Sequence, residues 1–210
     1  MITAQFRIAS GPEMTSRRQF LKVGLTASAL LPIGAANFVG VETRAPVLSL
    51  YKVLYDTRFA ASVAFARRAA ARGIAVHAMT GDMTPFWYDD LYHRWRQEPV
   101  AIAGLTAHGA LFCLERLAWE HRMRVVYRGE HAAAAGGCIA HRFEGPAQLA
   151  AAAVAATVDD GWASALADVV AECPRGRQEA GIAHSSTMRA DAAAPPSPLF
   201  SWVIAPVPRA

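Results

Sequence analysis

Three groups of residues in this 210-residue chain have types and spacing that could do chemistry. His131, Cys138 and His141 form one metal-like cluster, with two residues between Cys138 and His141. Imidazole and thiolate are ligands for zinc and related ions, but a structural zinc site needs four of them and usually two such pairs. One pair is half a site. The second group is Asp56, Arg58, Thr106 and His108, each just beyond an apolar run. A histidine oriented by a carboxylate can act as a base near neutral pH. A guanidinium offers a fork of donors to a carboxylate or phosphate, and a helix opening at Thr106 or His108 would add backbone N–H groups that favour an anion. Together these four read as a site for an acidic small molecule. The plainer alternative makes Asp56 a turn residue and Thr106 a helix cap. The third group is Phe86, Trp87, Tyr88, Tyr92 and Trp95, five aromatics in ten residues. One helix face cannot bury all five, and exposed rings are preferred anchors for a partner; packing against a sheet is the alternative. The Gly104–Gly109 segment is neither G-x-G-x-x-G nor a P-loop, and G-x-S-x-G is absent, so no nucleotide motif or hydrolase elbow is legible and no cofactor is indicated.

Positioning these residues requires elements that the sequence marks clearly in its first half. Residues 52–56, 74–79, 100–105 and 124–127 read as strands, and residues 59–72, 84–98 and 109–121 as helices between them. Thr84-Pro85 opens the second helix and Pro99 closes it. Strands alternating with helices predict βαβ units, hence an α/β, three-layer, mostly parallel sheet of the doubly wound, flavodoxin-like kind, with strand order 2-1-3-4. In such sheets ligands bind beyond the carboxyl ends of the strands where the order reverses, between the first and third strands, where Asp56, Arg58, Thr106 and His108 fall. Residues 138–143 read as a further strand, and residues 146–173 as a helix interrupted near Asp159-Asp160-Gly161. One domain over 37–173 is expected, then a Pro- and Ala-rich linker over 174–198 and an edge strand with a tail over 199–210.

Ser16-Arg17-Arg18-Gln19-Phe20-Leu21-Lys22 is followed by an uncharged run of 14 residues, Val23 to Ala36. A membrane span needs roughly 20 apolar residues, so this run has the length of a signal core. The segment resembles a twin-arginine (Tat) signal peptide, matching its S/T-R-R-x-F-L-K pattern through Arg17, Arg18, Phe20, Leu21 and Lys22. The resemblance implies recognition by the Tat translocase, export of a folded chain, removal of residues 1–36 after Gly34-Ala35-Ala36, and a periplasmic location. It also implies the company of exported redox enzymes, which are common passengers of that route.

The whole chain carries 21 basic and 17 acidic residues. Taking away the four basic residues and one acid of residues 1–36 leaves 17 and 16, a net charge of +1. No basic stripe remains, which excludes a nucleic-acid binder, and no later segment has the length and apolarity of a membrane span. Cys138 and Cys173 form the expected disulfide pair of an oxidising compartment, with Cys113 a buried apolar group. The first functional expectation is an accessory or partner subunit of an exported oxidoreductase, docked through the aromatic helix. The alternatives are an acidic-ligand binding protein or enzyme at the strand ends, and a metal-binding protein.

Overall fold

A computed structural model describes residues 46–176, 178–188 and 197–207. Its elements are β1 (Leu50–Asp56), α1 (Ala60–Ala71), β2 (Val76–Met79), α2 (Thr84–Phe86), a π-helical turn (Trp87–Leu91) running into α3 (Tyr92–Gln97), β3 (Ala101–Ala107) and α4 (His108–Glu120). They continue with β4 (Met123–Ala133), a short turn of 3-10 helix (Ala135–Gly137), β5 (Cys138–Pro146), α5 (Ala147–Ala156), α6 (Trp162–Ala171), β6 (Ala180–Met188) and β7 (Leu199–Pro206). The twin-arginine segment, with Arg17, Arg18, Phe20, Leu21 and Lys22, lies outside the described residues, as do residues 189–196 of the expected linker.

One seven-stranded sheet runs in the order β2-β1-β3-β7-β4-β5-β6. The α/β class and the order 2-1-3 agree with the sequence pattern, and β1 pairs in parallel with both β2 and β3. The rest corrects the expectation of a mostly parallel sheet. β7 lies antiparallel between β3 and β4, and β4, β5 and β6 form an antiparallel meander beyond it. Two strand pairs are parallel and four antiparallel, so the sheet is mixed. Leu199–Pro206 is therefore a central strand and not an edge. Its seven residues Leu199–Ala205 are all buried, the pattern of a strand covered on both faces. The expected linker is corrected too, because Ala180–Met188 is the edge strand β6.

Helices cover the two faces unequally. α1, α5 and α6 pack on one face through Phe65, Leu149, Trp162 and Leu166. There Arg68 Nε lies 2.9 Å from Asp168, and Arg72 reaches Asp168 and Glu172 at 3.1 and 2.6 Å, tying α1 to α6. On the other face α2–α3 and α4 bury Phe86, Trp87, Leu91, Trp95, Leu111 and Leu114. α4 packs on β3, β7 and β4. Beyond β4 this face carries Ala140, Ile182 and His184, all exposed. Gly104 marks how tightly the parallel half closes: a Cβ there would stand 2.6 Å from the Trp202 ring and 2.7 Å from the Leu54 carbonyl. Among the described residues no helix is long and apolar enough to cross a membrane.

Candidate functional site

The strand-end group is brought together only in part. Asp56 is fully buried, and its carboxylate accepts from Arg58 Nε at 2.9 Å, Arg58 Nη2 at 2.6 Å and the Arg58 backbone N–H at 3.1 Å. This bidentate pair is the strong form of the contact. Gly81, at φ +91°, lies against the guanidinium so closely that any side chain would overlap it. Ser62 of α1 spans the junction of β1 and β3, its hydroxyl accepting from the Asp56 N–H at 2.8 Å and donating to the Leu105 carbonyl. Thr106 is buried and is not the helix cap, a place taken by Ala107; its hydroxyl oxygen accepts from Trp202 Nε1 at 3.1 Å. His108 is exposed at the start of α4 and packs 5.3 Å from the Phe200 ring. The structure thus joins Asp56 to Arg58, places Thr106 beneath the surface, and leaves His108 outside that pair. The polar groups of the strand ends bond chiefly to one another.

The aromatic group divides differently from what its density implies. Phe86, Trp87 and Trp95 are buried, Tyr92 is half-buried, and Tyr88 is 63% exposed. The cause is the π-helical turn Trp87–Leu91. An i→i+5 turn has more residues per turn than an α-helix, so it shifts the phase of the helix beyond it. Phe86, Trp87, Leu91 and Trp95 consequently enter one core cluster. Trp95 Nε1 donates to the Val100 carbonyl at 2.9 Å, and Trp87 stacks edge-on against Trp95 and His121. Of the five rings only Tyr88 stands well out of the core, so packing accounts for the rest. The same turn aims Asp90 at β1, where it accepts from Tyr51 OH at 2.7 Å and pairs with Lys52. Burial pushes the Asp90 carboxyl up, but the bonds from Lys52 and Tyr51 outweigh that and hold it below the usual carboxylate range.

His131 and His141 face each other directly across β4 and β5, with Nδ1···Nδ1 at 2.8 Å and both rings about 1% exposed. Cys138 is absent from this pair for a simple reason. It is three residues from His141 on one strand, and side chains alternate, so the two point to opposite faces. Among the described residues no three of His, Cys, Asp and Glu come together to hold a metal ion. No disulfide joins Cys138 to Cys173; Cys173 is buried, which pushes its thiol up to about 12, while Cys113 is exposed and not the buried group expected.

The histidine pair instead belongs to a directional chain of hydrogen bonds. Thr187 donates to the Thr157 carbonyl, so its oxygen accepts from His141 Nε2–H at 3.0 Å. His141 Nδ1 is then the acceptor of the pair, His131 Nδ1–H the donor, and His131 Nε2 accepts from the Ser201 hydroxyl at 2.9 Å. Burial drives the His131 pKa well down, helped by His141, and burial lowers His141 to about 4. Both are neutral at pH 7. Serine, histidine and an orienting group in this order resemble the arrangement of a nucleophile and its base. Ser201, however, is fully buried, and Trp162 lies 4.7 and 5.1 Å from the two rings, so substrate has no approach. The chain is part of the core.

The outward face of α4 carries a group that the sequence reading missed. Phe112 and Trp119 are 46% and 45% exposed. Arg116 lies between them, its guanidinium 5.3 and 4.3 Å from their ring centroids, and Arg124 at the start of β4 approaches Trp119 at 5.7 Å. The spacing 112, 116, 119 is that of one helix face, opposite the buried stripe of Leu111, Leu114 and Ala118. That spacing is the signal, and the denser aromatic cluster at 86–95 outweighs it in the sequence. No protein-family model, curated protein or solved structure matches this chain.

Proposed function

We propose that this chain is an exported accessory protein that docks onto a partner enzyme through α4, and not through the aromatic helix of residues 86–95. The observation that carries the reading is the Phe112–Arg116–Trp119 ladder, two half-exposed rings with a guanidinium stacked between them. Aromatic residues and arginine are enriched at the centres of protein interfaces because they bring large area at low entropic cost. Arg116 and Arg124 form no ion pair among the described residues, so the complementary partner surface is acidic. The sheet face beyond β4, with Ile182 exposed, extends the uncovered area on the same side. Export rests on the twin-arginine resemblance at residues 16–36. That route, which carries folded passengers, makes a periplasmic oxidoreductase the partner class.

Native mass spectrometry of the tagged chain, purified from the exported fraction of its own host, tests both parts. The expected species is the chain shortened by residues 1–36 and bound to a second protein. The complex should be lost on combining Phe112→Ser with Trp119→Ala, and kept in Tyr88→Ser. A processed chain alone in every sample would reject the accessory reading, and a complex that survives the double change would reject α4 as its surface. An unprocessed mass would reject cleavage after Ala36.

A further inference from the structure

A cavity of about 710 Å³ opens at the amino ends of β1 and β3, at the opposite end of the parallel strands from Asp56 and Arg58. Its walls come from both strands, from the end of α3, from the Pro174–Gly176 segment and from the end of β7. Two irregularities of the sheet converge on it. Leu50 and Lys52 pair with the consecutive residues Ala101 and Ile102, leaving Tyr51 as an extra residue in β1. Val125 and Tyr127 pair with the consecutive residues Ile204 and Val203, leaving Val126 as an extra residue in β4. A bulge re-aims a side chain that regular pleating would send elsewhere. Both bulge residues, Tyr51 and Val126, line this one cavity.

Two guanidinium groups, Arg94 and Arg175, and one carboxylate, Glu98, line its walls, which leaves a positive balance. Arg94 of α3 holds its guanidinium 5.4 Å from the Tyr51 ring centroid. Its only carboxylate neighbour among the described residues is Glu98, at 3.6 Å and itself 72% exposed, a contact that water screens heavily. Arg94 Nε is buried without a hydrogen-bond partner. Arg175 also lines the cavity, and its side chain makes no ion pair among the described residues. The apolar side chains of the walls include Leu50, Val100 and Pro206. Ligand pockets characteristically combine an apolar lining of this size with a few polar groups that fix orientation.

We infer that this cavity is a binding site for a small organic carboxylate with an apolar body, its head held by Arg94 and Arg175 and its body lying on Tyr51 and Val126. A free phosphate would leave the apolar walls unfilled, and a neutral lipid would leave the two guanidinium groups without a counter-charge. The site is separate from the α4 surface and stands or falls independently of it.

Titration calorimetry of the full chain with decanoate, and with decanol as its neutral counterpart of equal length, tests the inference. Decanoate should bind saturably at one site per chain and decanol about tenfold more weakly. Arg94→Gln should lower decanoate affinity to that of decanol, Arg175→Gln should weaken it severalfold, and Val126→Trp should abolish both ligands by filling the cavity. The Arg94 side chain is 39% exposed and Arg175 is exposed, so neither change removes a core side chain, and the charge comparison decides the matter even where Val126→Trp does not fold. No saturable decanoate binding, equal affinity for the two ligands, or decanoate binding untouched by Arg94→Gln would each overturn the inference.

Discussion

The two halves of the sheet solve the problem of burial in opposite ways. Around β1 and β3 the interior is apolar on both faces: Val53, Leu54, Ile102, Ala103 and Leu105 are essentially inaccessible, and the polar residues wait at the strand ends. In the half built on β4, β5 and β6 one face is uncovered beyond β4, and the other buries Ser201, His131, His141, Thr187 and Thr157 in a connected chain. The difference shows two sources of precision. An apolar interior is specified by volume and tolerates exchange among side chains of similar size. A hydrogen-bonded interior is specified by partner and direction, and leaving one member unpaired is costly. β7 belongs to both, giving Trp202 to one face and Ser201 to the other.

The largest expected effect tests the apolar half. Trp202→Ala removes a fully buried indole and takes from the Thr106 hydroxyl its donor, and should cost about 3–5 kcal/mol in urea unfolding. A loss below about 1 kcal/mol would mean that this half is looser than its burial implies. The second test addresses the polar half through pH. An unfolded histidine takes up a proton below about pH 6.5, whereas folded His141 resists until about pH 4. The unfolded chain therefore binds more protons over that window, and stability falls as pH drops through it, by at most about 3 kcal/mol for this residue. Replacing the pair together, as His131→Phe with His141→Leu, should flatten that slope. It should also cost less at pH 7 than His141→Ala alone, which leaves the His131 Nδ1–H buried without its acceptor and takes a donor from the Thr187 oxygen. An unchanged slope in the double variant would show that other groups set the acid response.

Local pattern made the first half of the chain legible, and distance in sequence hid the rest. The alternation of apolar runs and capped helices through residue 121 carries β1, α1, β2, β3 and α4, and with them the meeting of β1 and β3 at Asp56 and Leu105. β7 has the continuous apolar run of a covered strand, but nothing local says that it enters between β3 and β4. That placement depends on pairing with residues about 70 to 100 positions earlier. β6, Ala180–Met188, hid behind Gly, Ala, Ser and His, residues of weak strand preference. The histidine pair was half legible. His131 and His141 group with Cys138 in the sequence, but opposition across a hairpin depends on register, and the alternation along β5 removes the cysteine. Phe86, Trp87 and Trp95 misled because the π-helical turn changes the phase of the helix in a way that no α-helical period contains.

The central position of β7 has a consequence for the order in which the protein can be made. Every other described strand leaves the ribosome first, yet β3 and β4 run parallel with a strand's width between them and do not pair with each other. Until residues 199–206 emerge, the nascent chain holds two separate sheet fragments, each with an open and largely apolar edge of the kind that pairs with the wrong neighbour. The final strand is thus a keystone. A release or cleavage before it would leave two half-sheets, and a machine that moves only folded cargo would have to wait for its insertion.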